Sequence, residues 1–179
     1  ANSMKYLRAT LASNFGNFYA LALSSLFIPY LPMLPIQVLL LNLLSDFPMM
    51  TIATDNVDEK ELERPRGYRV AELTTIALVL GVVSTIFDFA FFGYFQQFGE
   101  SALQTMWFVG SVLTELALLF SIRTALPFWQ AKRPSATVLS LSFVVAALTI
   151  LLPFVPLAQR TLGFVTPTAE HLIALVLLV

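Results

Sequence analysis

The chain has 179 residues, 58% hydrophobic and only 12% charged, with a mean hydropathy of +0.80. A soluble domain carries about 25% charged residues, so this composition excludes an ordinary water-soluble core and points to an all-α membrane protein of several spans. The absence of cysteine excludes disulfides and thiolate metal sites, and a net charge of −1, with basic residues scattered at span ends, gives nucleic acid no stripe to follow.

Lys5 and Arg8 lead into an apolar run with no credible signal-cleavage site, and no charge occurs from Ala9 to Ser45. That run is too long for one span and suits two, joined by the turn Pro29-Tyr30-Leu31-Pro32-Met33-Leu34-Pro35. The spacing predicts spans over residues 6–28, 36–53, 73–95, 105–122, 135–152 and 168–179, with charged loops at 54–72 and 123–134. The last span is incomplete, because only eight residues run from Leu172 to Val179; the chain reads as a piece of a longer protein. Lys5, Arg8, the basic residues of both charged loops and none of the intervening links lie on one side by parity, with Arg160 the single exception. The N-terminus and both loops are therefore expected in the cytoplasm, and the bilayer is the principal partner.

Polar groups inside these spans mark the candidate site. An ionisable side chain in the bilayer is costly and is a functional hypothesis by default. Asn42, Ser45 and Asp46 stand at i, i+3 and i+4 of the second span and share a helix face. Pro48, which cannot donate to the carbonyl of Leu44, is expected to kink or unwind the helix beside them. Asn14 and Asn17 share a face of the first span, and Gly16 between them would let another helix approach closely. The turn would set these two spans side by side, so that the amides, Ser45 and Asp46 converge. Glu115 stands near the middle of the fourth span. Asp88, among Phe87, Phe89, Phe91 and Phe92, reads equally as a functional group or as a structural hydrogen-bond acceptor. His171 reads as structural, Trp107 and Trp129 as interfacial belt residues, and Glu63-Arg64-Pro65-Arg66 as a solvated run able to dock a cytoplasmic domain. Oxygen donors alone suit a hard cation, Mg²⁺ or Ca²⁺, and spacing does not choose between them. A secondary transporter or membrane scaffold is the rival reading, although no inverted internal repeat supports it.

Ser13-Asn14-Phe15-Gly16-Asn17, Asn42-Leu43-Leu44-Ser45-Asp46, and Asp55-Asn56 through Arg64-Pro65-Arg66 resemble the C-terminal membrane region of cation-transporting P-type ATPases. The bacterial magnesium-transporting branch is the most similar, on the hairpin Phe27 to Pro35 and the Arg-Pro-Arg loop. The resemblance implies a six-span bundle equivalent to helices five to ten of such a pump, the last truncated, in the cell (inner) membrane. It implies cation ligands at Asn14, Asn17, Asn42, Ser45, Asp46 and Glu115. Mg²⁺ is the implied transported ion. Ca²⁺ is the alternative: Asn17 replaces a glutamate of reticulum-type calcium pumps, but Glu115 matches their pattern. ATP would be bound only by domains outside this sequence, which has no Asp-Lys-Thr-Gly motif, and the remaining helices and cytoplasmic domains of the parent pump would be its partners.

Overall fold

The computed structural model describes residues 2–57, 70–124, 126 and 130–179. Helices α1 (Asn2–Ser24), α2 (Pro35–Thr51), α3 (Val70–Phe95), α4 (Glu100–Ile122), α5 (Ala136–Leu151), α6 (Pro156–Leu162) and α7 (Ala169–Leu178) follow in order, and no strand occurs among the described residues. Helices answer the composition, because they satisfy every backbone polar group within one apolar segment. By length and composition, Pro35–Thr54, Thr74–Phe98, Glu100–Ile122 and Ala136–Phe154 are able to cross a membrane. α1 is a continuous helix of 23 residues whose apolar run is broken by Ser13, Asn14 and Asn17, and α7 has only 10 residues.

Local chemistry sets the boundaries. Pro35 opens α2, where its missing N–H costs nothing. The buried Gln37 folds back to accept from the Leu34 N–H at 2.9 Å and donates to the Leu162 carbonyl at 2.8 Å, tying the hairpin to the end of α6. Gly99, at φ +92°, separates α3 from α4, a conformation that a Cβ would strain. Ser135 and Thr168 cap α5 and α7 by accepting from Val138 N and His171 N.

Several expectations need correction. The helix that carries the fourth expected span, α4, begins at Glu100, five residues before the span expected at 105–122. Trp107 is therefore in its second turn, 1% exposed and in the core instead of the interfacial belt. α2 continues through Pro48 to Thr51, so the backbone does not unwind there. α1 lies chiefly along α3, not α2. The cause is small side chains: a Cβ on Gly16 would come within 2.9 Å of the Ser84 Cβ, and one on Gly81 within 3.1 Å of the Phe15 Cβ. Two glycines thus let the backbones meet where dispersion contacts are densest. His171 packs edge-on against Phe98 and Phe95, as a structural residue would. The run Glu63 to Arg66 and Trp129 lie outside the described residues.

α4 is the hub, packing against α1, α2, α3, α5 and α7. Every residue from Ala102 to Val112 is buried. Phe91 and Phe95 of α3 close on it with Trp107, Phe108, Met106 and Leu103. On the side of the charged loops, Arg123 at the end of α4 donates from Nε to Asp55 Oδ2 at 2.8 Å, and Asp55 Oδ1 accepts from Ser135 N at 2.7 Å. Asn56 adds a bond from its amide to the Arg133 carbonyl at 2.9 Å, so the tail of α2 is clasped to the α4–α5 connection.

Candidate cation site

α4 carries Glu115 into the interior at the level where α1 and α2 present their polar residues. Its carboxylate is 5% exposed. Asn17 of α1 donates from Nδ2 to Glu115 Oε1 at 2.8 Å, which joins residues 98 positions apart. The hydroxyls of Ser13 and Ser45 stand close enough to act on the same carboxylate, although only Asn17 reaches it with full hydrogen-bond geometry. Among the described residues none makes a hydrogen bond of full geometry to Glu115 Oε2. Ser45 is itself buried, and its hydroxyl leans on the Asn42 carbonyl at a long 3.4 Å, a weak bond that leaves it available. Asp46 follows Ser45 on α2 and is exposed.

Of the six residues marked in the sequence, Asn17, Ser45 and Glu115 thus come together, with Asp46 adjoining them. Asp46 and Asn14 are exposed and Asn42 is half-buried. None of those three joins the hydrogen bond at Glu115. Ser13 is the member absent from the predicted set; it stands one turn before Asn17 on the same face, a spacing that was available in the sequence. Asp88 serves as an acceptor, taking the Trp107 Nε1–H on Oδ1 at 2.7 Å in the α3–α4 interface.

A cavity of about 230 Å³ opens beside Glu115, lined among others by Ser13, Ser84, Thr114 and Ser121. It has room for several waters, each occupying about 30 Å³ in the liquid. Among the described residues no three His, Cys, Asp or Glu side chains gather as a metal cluster. The donors here are instead amide, hydroxyl and carboxylate oxygens, a set that selects hard cations over soft ones.

A family profile described as cation transporting ATPase, C-terminus, matches residues 30–179. The chain is 35% identical over 167 residues to the magnesium-transporting ATPase, P-type 1, of Salmonella typhimurium, and equally to the protein of that name from Escherichia coli K12. Each match covers 89% of this chain and 18% of the relative. A putative cation-transporting ATPase of Methanocaldococcus jannaschii is 30% identical over 107 residues, 58% of this chain and 13% of that protein. The chain thus spans less than a fifth of the length of these curated relatives.

Proposed function

This chain belongs to the cation-transporting P-type ATPases, as their C-terminal membrane region, and from that premise we propose that it forms the ion-binding part of an ATP-driven pump for Mg²⁺. The observation that carries the reading is the Asn17–Glu115 bond, which draws α1 and α4 to one buried carboxylate with Ser13, Ser45 and Asp46 around it. Asp46 supplies the main charge. Asn14, Asn17, Asn42 and Ser45 supply neutral oxygens, and Glu115 a second carboxylate. Two carboxylates among amides suit Mg²⁺, which keeps part of its water shell, better than a fully dehydrated Ca²⁺. The outward-facing positions of Asn14 and Asp46 suit completion of the site by helices of the pump outside this chain.

In this reading the six predicted spans correspond to helices five to ten, with the N-terminus and both charged loops cytoplasmic. The protein sits in the inner membrane. ATP is bound and phosphate transferred in other domains, and their motion reaches the site through α1. A displacement of α1 separates Asn17 from Glu115 and changes ion affinity, as alternating access requires.

The test is ion-dependent ATP hydrolysis and transport by the full-length protein, titrated separately with Mg²⁺ and Ca²⁺. A metal-binding readout accompanies it, because ATP itself requires Mg²⁺. Asp46→Asn should abolish transport while the protein still folds. Unchanged ion-dependent activity in that variant overturns the assignment of the site, and stimulation by micromolar Ca²⁺ overturns the assignment of the ion.

A further inference from the structure

On the face opposite the charged loops, the end of α3 and the start of α7 leave a groove of about 370 Å³, lined by Tyr94, Glu170, Ile173, Ala174, Leu177 and Leu178. Glu170, Ile173, Ala174 and Leu177 recur at helical intervals of three and four, so the groove follows one face of α7 for about two turns, roughly 10 Å from the carboxylate. Ile173 and Leu177 are 63% and 80% exposed, whereas the buried Ala174 has no side chain long enough to fill the space beside them. The polar groups stand at one end only. Tyr94, in the last turn of α3, donates from its hydroxyl to Glu170 Oε1 at 3.1 Å. Among the described residues the exposed Glu170 carboxylate makes no other hydrogen bond and has no ion-pair partner. Thr74–Phe98 is long and apolar enough to cross the membrane. Tyr94 near its far end therefore stands at the level of the lipid headgroups, where tyrosine is favoured.

A tyrosine and a carboxylate at the mouth, with aliphatic side chains beyond them, repeat the order of a phospholipid from head to tail. Lipid tails are as apolar as leucine, so the aliphatic walls accept any acyl chain and discriminate little. Selection falls to the mouth. A carboxylate without a cationic partner repels an anionic headgroup and attracts an ammonium. Tyr94 occupies one of the roughly four acceptor positions of that carboxylate, and a primary ammonium brings three N–H donors to the others; a trimethylammonium brings none. We propose that this groove binds a phospholipid with a primary-amine headgroup, its acyl chain along α7 and its ammonium on Glu170.

The test is native mass spectrometry of the full-length protein with phosphatidylethanolamine, phosphatidylcholine and phosphatidylglycerol of identical acyl chains, so that the apolar contribution cancels. Lipid sites elsewhere on the protein are common to wild type and variants, and the difference between them reports this groove. Wild type should bind the ethanolamine lipid about fivefold more tightly than the glycerol lipid, the upper range for an exposed ion pair, with the choline lipid behind the ethanolamine one. Glu170→Gln removes the charge at nearly constant size and should erase the preference. Tyr94→Phe keeps the ring and frees Oε1, and should retain it. Ile173→Trp, at an exposed position on the rim, crowds the groove and should lower binding of the ethanolamine lipid. Equal binding of the three headgroups by wild type, a preference unchanged in Glu170→Gln, or ethanolamine-lipid binding unchanged in Ile173→Trp overturns the proposal. A dimer that Ile173→Trp dissociates would give the groove to a second copy of the protein and overturn it as well.

Discussion

Replacing Asp55 by Asn should be among the most destabilising single changes outside the spans. The Asp55 side chain is fully covered and that of Arg123 is 6% exposed. Asparagine can still accept from Ser135 N, but the guanidinium loses its anion and, among the described residues, keeps the Lys132 carbonyl at 2.8 Å. Removing one partner of a buried ion pair costs about 3–5 kcal/mol, most of it for the charge left behind. The retained bond puts the expected loss near the lower end, about 3 kcal/mol. The assay is denaturant unfolding of the full-length protein in detergent, with Asp55→Asn/Arg123→Met as the second variant. The double change removes the orphaned charge and should recover part of the loss. A single-variant loss below about 0.5 kcal/mol, the level of an ordinary surface substitution, would refute the reasoning.

The same pair gives a pH signature. Burial by itself pushes the Asp55 carboxyl up, but the Ser135 N–H, the Arg123 guanidinium and the Asn56 N–H outweigh it and hold the group below the usual carboxylate range. A depressed folded value means that the stabilisation is complete above the unfolded carboxyl value, about 3.9, and is lost as pH falls through the lower folded one. Wild type should lose stability over that acid window. Asp55→Asn should lack this component.

Two further outcomes follow from packing. Gly16→Ala should destabilise by about 1–3 kcal/mol, because its methyl would meet Ser84 at 2.9 Å; thermal unfolding checks this, and adding Ser84→Gly should restore part of the loss. Trp107→Phe should cost about 1–3 kcal/mol by leaving Asp88 Oδ1 without its donor. In an Asp88→Leu background the same change should cost less, and a double-mutant cycle measures the difference.

Some of this was legible in the sequence for plain physical reasons. The charge-free run from Ala9 to Ser45, broken by the prolines at 29, 32 and 35, dictates two helices and a turn. Gly16 announced a close helix contact, and the structure supplies Ser84 and Gly81 as its partners. Helical spacing identified polar faces on α1 and α2. It could not tell that Asn17 would turn to Glu115 while Asn14 remained uncovered, because helix rotation is set by neighbours distant in sequence. Trp107 was misjudged for a related reason. Its assignment to the interface depended on where α4 begins, and the helix start is set by Gly99, well before the apolar run becomes dense. Asp55 looked like one more residue of a charged loop. Its partners, Arg123 and Ser135, lie 68 and 80 positions away, beyond any local pattern.

The Asp88–Trp107 bond also bears on how the chain is made. α3 and α4 are consecutive and separated by only residues 96–99. Alone in lipid, α3 would expose a carboxylate and α4 an indole N–H, together with Glu115, and a single mid-span carboxylate costs about 2.5–3.5 kcal/mol on insertion scales. Paired as a helical hairpin, Asp88 and Trp107 hide each other's polar group as both helices enter the bilayer, before α5 or α7 has been synthesised, while Glu115 is left to Asn17 of α1. The bond that organises the mature core is thus the one available earliest to α4 from the segment just ahead of it. Biogenesis of this region should accordingly proceed two helices at a time, with α3 held at the translocation site until α4 emerges.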